Sequence, residues 1–214
     1  MMKNWSKVLT IIFCTICLVT ASVMGTIAVL TARTETVTNT FTVGNITISL
    51  DESKVNELGK VVDQDGNPIA YDGDGNPLGE APRVMANEYK LFEGETYTKD
   101  PVVHVGEGSE PCYLFVMVNN EIEDIEADNG VSIDDQILNN GWQNYTDVDG
   151  LYWTTHEGDE KLEYPVFQMF TIGSNIENFQ TYQGKKIEIT AYAVQMTGCA
   201  DEEEAWEFAA PSKE

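Results

Sequence analysis

One segment, CYLFVMVNN (112–120), restricts the fold more than any other part of this chain. Both of its alternations are apolar, with Leu114, Val116 and Val118 on one and Tyr113, Phe115 and Met117 on the other. Successive side chains of a β-strand point to opposite faces, so this strand needs an apolar layer on each side. The sequence therefore predicts a layered β fold with this strand in its interior.

Further strand signals, rich in Val, Ile, Thr and aromatic residues, recur between clusters of Gly, Asn, Asp and Pro. KKIEITAYAVQ (185–195) has the alternation of a half-buried strand. TNTFTVGNITISL (38–50) also alternates, and its change of phase at Gly44-Asn45 indicates a β-bulge. The other predicted strands are YKLF (89–92), PVVHV (101–105), LYWTT (151–155) and VFQMFTI (166–172). About eight to ten short strands favour an all-β fold, a jelly-roll-like β-sandwich.

Two short helices are predicted beside the strands. Ser132, followed three residues later by Asp135, forms a capping-box pattern at the start of the first. The second, DEEEAWEFA (201–209), has acidic residues in its first turn, where the helix dipole favours negative charge. We expect Trp206 to dock this second helix onto the sandwich.

The N-terminal segment has the pattern of an export signal. Two lysines precede an apolar run, and no charged residue lies between Lys7 and Arg33. Small residues at the −3 and −1 positions of a cut predict cleavage between Ala28 and Val29, which makes residues 1–28 a signal peptide. We therefore expect a secreted protein, extracellular or on the cell surface.

An uncleaved membrane anchor is the alternative, since residues 8–32 are apolar and long enough to cross a bilayer. Cleavage would leave residues 29–214 as a single β-sandwich domain. Within it, residues 29–40 form a candidate N-terminal strand arm and residues 61–80 a turn-rich insertion.

The charge balance is strongly acidic, with 36 Asp and Glu against 12 Lys and Arg and a net charge of −24. Such a charge repels phosphate backbones, so we expect no binding to nucleic acid. Cations and components of the cell wall or matrix remain compatible partners. Solubility alone is the simpler explanation of the charge.

Two cysteines, Cys112 and Cys199, remain after the predicted cut. Outside the cytoplasm they could form a disulfide, which closes a long loop and contributes on the order of 4 kcal/mol to stability. Two unpaired, buried thiols are the alternative.

A near-duplicate DGNP pattern in the insertion suggests a calcium-binding site. Its weak candidate ligands are Asp63, Asp65, Asp72 and Asp74. An EF-hand loop needs Gly at position 6 and Glu at position 12, and neither repeat supplies them. Asp-Gly and Asn-Pro pairs are turn formers, so two consecutive exposed turns explain the pattern better.

No catalytic signature is present in the sequence. The only two histidines, His104 and His156, lie in no zinc-binding motif. The chain also contains neither a G-x-S-x-G nucleophile elbow nor a glycine-rich phosphate loop. We therefore expect no enzyme activity, no catalytic residues and no cofactor.

Four ordered blocks resemble the proteins exported with a SipW-dependent signal peptide, the TasA/camelysin (CalY) family. They are GTIAVLTARTETVTNTFTVGNITISLDE (25–52), RVMANEYKLFEGETYTKDPVVHV (83–105), CYLFVMV (112–118), and ITAYAVQ followed by EEEAWEFA (189–209). The resemblance implies a jelly-roll domain, cleavage near Ala28 by a dedicated signal peptidase, and assembly into extracellular fibres of a biofilm matrix.

The resulting functional expectation is a structural protein of the cell surface or biofilm matrix. Residues 29–40, VLTARTETVTNT, have high β-propensity and contain no Gly or Pro, so they could add as a strand to a neighbouring subunit. Self-association is the expected partnership. The alternative is a monomeric extracellular binding module or adhesin that uses its loops.

Overall fold

The structure is a computed structural model, and it describes residues 45–72, 77–127, 131–158 and 160–210. All of them belong to one compact unit, Gly44–Glu214. The predictions that lie outside the described residues are the signal peptide 1–28 and its cut between Ala28 and Val29, the anchor 8–32, the arm 29–40, Gly44 of the predicted bulge, and Asp74.

Ten strands make up most of the regular structure. In chain order they are β1 (Ile48–Ser53), β2 (Arg83–Val84), β3 (Thr96–Thr98), β4 (Val102–Val105), β5 (Cys112–Asn120), β6 (Gln143–Asn144), β7 (Leu151–His156), β8 (Glu163–Pro165), β9 (Met169–Thr171) and β10 (Ile187–Gln195). The helices are α1 (Ile133–Asn139), α2 (Glu202–Ala209) and two 3-10 turns, Glu123–Ile125 and Phe179–Tyr182.

The strands form antiparallel sheets. The first has the order β2-β1-β4-β8, the second β10-β5-β7-β6, and β3 pairs with β9 in a two-stranded ribbon. The chain passes from the first sheet to the second between β4 and β5, and it returns between β7 and β8. The predicted all-β fold, a β-sandwich with two short helices, is confirmed.

The main core lies between the inner faces of the two sheets. Val103 and Val105 of β4 face Leu114 and Val116 of β5 across it, and all four are buried. Phe115, on the other alternation of β5, is buried in a second cluster outside the sheet. The prediction that the 112–120 strand is covered on both sides is therefore confirmed.

Helix α2 covers the outer face of the second sheet. Asp201 accepts a hydrogen bond from the Glu204 N–H at the helix start, which satisfies one of the free amide groups there. The ring of Trp206 lies 5.2 Å from that of Phe115 and 5.4 Å from that of Tyr192. The predicted docking of this helix through Trp206 is confirmed.

The predicted cap of α1 is also confirmed. The Ser132 hydroxyl accepts a hydrogen bond from the Asp135 N–H at 3.0 Å. The helix buries Ile133 and Ile137 in the main core.

Three predicted strands are wrong in extent. In TNTFTVGNITISL (38–50), the described part is a strand only from Ile48, and this strand continues to Ser53. YKLF (89–92) forms no strand. The Tyr97 hydroxyl donates to the Lys90 carbonyl and accepts from the Phe92 N–H, and the Lys90 N–H donates to the Glu57 carbonyl. In VFQMFTI (166–172) only Met169–Thr171 is a strand.

Candidate functional site

The outer edge of β10 is the feature of this fold best suited to binding another chain. β10 pairs with β5 on one side, and no strand among the described residues pairs with its other side. An unpaired edge presents a row of N–H and C=O groups that can template a further strand. β10 is nine residues long, which is long for an edge strand.

The register of β10 shows which of its backbone groups face outward. Lys186 and Met196 flank β10, and each makes one backbone hydrogen bond to the β5 side: the Lys186 carbonyl accepts from the Glu121 N–H, and the Met196 N–H donates to the Pro111 carbonyl. Hydrogen-bonded pairs alternate along an antiparallel ladder, so the even-numbered residues of β10 bond to β5. The odd-numbered residues direct their N–H and C=O groups to the open edge; they are Ile187, Ile189, Ala191, Ala193 and Gln195.

The described chain begins near one end of this edge. The carbonyl of Asn45 accepts a hydrogen bond from the Glu110 N–H, and the neighbouring Pro111 carbonyl accepts one from the Met196 N–H. Asn45 therefore lies close to the C-terminal end of β10.

A cluster of ionic groups lies at the first sheet, and sequence reasoning did not predict it. Glu52 of β1 is almost fully buried, and Lys99 donates to its carboxylate at 2.6 Å. The Asn87 amide donates to the same carboxylate at 2.8 Å. A buried charge is tolerated only when it is paired and hydrogen-bonded, and these two donors meet that requirement.

Arg83 belongs to the same cluster and binds the cluster's more exposed carboxylates. Its guanidinium donates to Asp51 at 2.7 Å and contacts Asp100 at 3.3 Å, while His104 lies 3.0 Å from Asp51. Burial raises the pKa of Asp51, but hydrogen bonds and charge from Arg83 and His104 outweigh it, and the net result is a lowered pKa. The cluster therefore pairs its carboxylates with cations and fixes β1, β2 and β4 together.

The first DGNP turn is held by its own aspartate. Asp63 Oδ1 accepts hydrogen bonds at 2.9 Å from the N–H groups of both Asp65 and Asn67, and Gly66 adopts the positive φ that such a tight turn needs. These donors, first among them the Asn67 backbone, lower the pKa of Asp63. The carboxylate thus closes its own turn, as the turn interpretation predicts.

The described calcium candidates lie along a largely exposed ribbon formed by residues 61–72 and 77–80 of the insertion. Asp63 and Asp65 belong to the first turn, and Asp72 follows Tyr71, which forms an isolated bridge with Pro77. Within the described ranges, no three His, Cys, Asp or Glu side chains come together in a way that could hold a metal ion. The weak calcium assignment stays a prediction because Asp74 is outside these ranges.

The disulfide alternative is corrected by the structure, which has both Cys112 and Cys199 as free thiols. The two residues belong to clusters on opposite faces of the second sheet. Burial raises the pKa of the Cys112 thiol to about 11, so it stays protonated at neutral pH. Cys199 is only partly buried, so the alternative of two buried thiols holds for Cys112 alone.

The two histidines occupy very different environments. His104 is partly exposed and within reach of Asp51 and Glu163. His156 is fully buried, and its Nδ1 shares a hydrogen bond of 3.0 Å with the Tyr164 hydroxyl.

None of the helices in the described part of the chain combines the length and the apolar character needed to cross a bilayer. No protein-family model, curated protein or solved structure matches this chain. The proposal of a function therefore depends on the residues and geometry described above.

Proposed function

We propose that this chain is a secreted structural protein of the cell surface or biofilm matrix that self-associates by strand addition. In this proposal, residues 29–40 of one subunit pair with the open edge of β10 in the next. The observation that carries the proposal is the nine-residue edge strand, which has no pairing strand among the described residues.

Several properties of the two partners support strand addition. The edge offers outward N–H and C=O groups from four residues, Ile187, Ile189, Ala191 and Ala193, whereas the Gln195 carbonyl accepts a hydrogen bond from the Cys199 thiol at 3.5 Å. The twelve residues VLTARTETVTNT are long enough to pair with all four. Main-chain hydrogen bonds supply affinity in this mode of recognition. Pairing would also cover an edge that otherwise favours uncontrolled association.

Export provides the step that would make the arm available. A dedicated signal peptidase that cuts between Ala28 and Val29 would leave residues 29–40 at the new N-terminus. The acidic composition keeps subunits soluble before they assemble, because like charges repel. This mechanism requires no catalytic residue and no cofactor.

Two variants of the purified mature protein test the proposal by light scattering and electron microscopy. Deletion of residues 29–40 should leave single particles where the unmodified protein forms filaments. Ala191→Pro removes an N–H that faces the open edge and no bond to β5, so it should also prevent assembly. Ala191→Val is the matched control, because it changes side-chain volume and keeps the N–H.

Thermal unfolding of each variant must show that the sandwich still folds. Unchanged filaments in the deletion variant would reject the arm, and unchanged filaments in Ala191→Pro would reject β10 as the acceptor edge.

A monomeric binding module is the second candidate, and the exposed ribbon of the insertion favours it. Tyr71 and Leu78 on this ribbon are 52% and 68% exposed, which leaves two large apolar side chains available for contact with a partner. A surface-binding loop would use such side chains. Single particles in electron micrographs of the unmodified protein would favour this candidate over the filament.

A further inference from the structure

Three side chains of the ionic cluster combine an amine, a carboxylate and a carboxamide. The Lys99 ammonium donates to Glu52 Oε2 at 2.6 Å, and the Asn87 amide nitrogen Nδ2 donates to Glu52 Oε1 at 2.8 Å. One carboxylate therefore brings the Lys99 amine and the Asn87 carboxamide together. These are the groups needed to join a lysine to an asparagine by an amide bond, and that reaction needs no further reagent.

The Asn87 carboxamide is fixed in one orientation. Its Oδ1 accepts a hydrogen bond from the Val55 N–H at 2.9 Å, and its Nδ2 donates to the Ser53 carbonyl at 2.9 Å as well as to Glu52. An N–H that donates to a carbonyl oxygen stabilises the negative charge that develops there during nucleophilic attack. The Val55 N–H is therefore placed to support attack on Asn87 Cγ, and Glu52 is placed to protonate the nitrogen that leaves.

The carboxylate and the amine are shielded from water. The side chains of Glu52 and Lys99 are 4% and 11% exposed. Burial raises the pKa of the neighbouring Tyr89 phenol, and the charges of Glu52 and Asp100 raise it further, while a hydrogen bond with Asn87 opposes them. Two charges held away from water carry a desolvation cost, so a reaction that replaces both of them by neutral groups is favoured.

We propose that Lys99 and Asn87 form an intramolecular isopeptide bond, with Glu52 as the general base and general acid. Glu52 accepts a proton from the Lys99 ammonium along their hydrogen bond, which has the length that general-base catalysis requires. The flexible stem of lysine then carries Nζ to within about 3.5 Å of Asn87 Cγ for attack.

The atoms and charges of the reaction balance. The lone pair of Nζ forms the Nζ–Cγ bond, and the carbonyl electron pair moves to Oδ1. Glu52 passes its proton to Nδ2 and takes a second proton from Nζ. The carbonyl then re-forms, the Cγ–Nδ2 bond breaks, and ammonia leaves with the bonding pair. The products are a neutral amide, a neutral Glu52 carboxyl group and ammonia.

The bond would close a covalent ring over residues 87–99, which includes β3. Asn87 follows β2 and Lys99 precedes β4, so the bond would also link the segments that leave and enter the two strands on either side of β1. Such a link restricts the unfolded chain as a disulfide does. This inference goes beyond the proposed function and does not depend on it, because the bond forms within a single subunit.

Intact-mass spectrometry of the purified, folded protein tests the bond. The mass should be about 17 Da below that calculated for the chain, because one ammonia is lost. Lys99→Arg keeps a cation beside Glu52 but has no reactive amine, and Glu52→Gln removes the general base, so both variants should have their full calculated mass. Lys90→Arg is the matched control and should keep the mass loss, because the Lys90 ammonium lies over the Phe92 ring. Full mass in the folded unmodified protein, or the same loss in Lys99→Arg, would overturn the proposal.

Tandem mass spectrometry of a tryptic digest locates the bond and needs no variant. Trypsin cuts after Lys90, between the two joined residues, so the expected product is a branched peptide that links Lys99 to Asn87. A loss of ammonia confined to a linear peptide would contradict the proposal. Mass separates the bond from the ion pair, which a stability measurement on Lys99 variants cannot do, because these variants lack both.

Discussion

The two four-stranded sheets of this protein are stabilised by different means. The first sheet contains Asp51 and Glu52 in β1, and their partners Arg83 and Lys99 come from β2 and from the segment before β4. The strands of the second sheet contain no Lys or Arg and a single carboxylate, Glu188. Its central strand, β5, is instead apolar on both faces.

The difference shows how a very acidic chain places its few cations. With 12 Lys and Arg against 36 Asp and Glu, most carboxylates must remain in water. Lys99 and Arg83 form ion pairs with carboxylates that packing partly or fully buries. An unpaired charge would cost most free energy at these positions. The second sheet avoids this requirement because apolar burial needs no partner of opposite charge.

The largest expected effect is a cavity in the second sheet. Phe115→Ala removes a fully buried ring between β5 and α2, so the free energy of unfolding should fall by about 4 kcal/mol in denaturant titration. Met117→Ala, on the same face of the same strand but only partly buried, should cost about 1 kcal/mol. Equal losses would show that α2 does not seal this face.

A smaller effect is expected from the ionic cluster of the first sheet. Lys99→Ala leaves the Glu52 carboxylate buried without its cation and should lower the free energy of unfolding by about 3 kcal/mol. Adding Glu52→Gln should recover part of that loss, because the remaining group is neutral.

Lys186→Ala is the control for this ionic prediction, since its pair with Glu188 is exposed. It should change stability by less than about 0.5 kcal/mol. If Lys99→Ala lowered the free energy of unfolding as little as this control does, the buried pair would contribute little to stability. The contrast between the two sheets would then be lost.

The smallest effect should come from the start of α2. Asp201→Ala removes the carboxylate that accepts the Glu204 N–H, so stability should fall by about 1 kcal/mol. Glu203→Ala, an exposed change in the same turn that leaves the Asp201 cap intact, should have a smaller effect. Denaturant titration of both variants checks the difference, and equal values would mean that the cap does not secure the helix.

Local patterns predicted much of the second sheet and both helices. The two apolar alternations of 112–120 required cover on both sides, and the structure supplies it with the main core and with α2. The Ser132 cap and the docking of Trp206 were also visible in the sequence. Each of these features depends on residues that are neighbours along one strand or one helix, so periodicity and capping rules apply to them directly.

The ionic cluster could not be predicted in the same way. Glu52 and Lys99 are 47 residues apart, and no periodic pattern links them. YKLF (89–92) has the composition of a strand, yet backbone groups of Lys90 and Phe92 hydrogen-bond to the Tyr97 hydroxyl. The contact between Glu52 and Lys99 joins segments that are brought together only by the packing of the whole domain, whereas the Tyr97 contacts are local but follow no periodic pattern.

The sequence by itself determined which strand must be buried on two faces and where the helices begin. It also determined which turn is closed by its own side chain. These features depend on residues that are near neighbours along the chain. Only the tertiary structure decided which carboxylates receive a cation, which strand is left at an edge and which histidine is sealed in the core. The physical reason is that burial and charge pairing are set by distances through space, and the order of residues along the chain does not fix those distances.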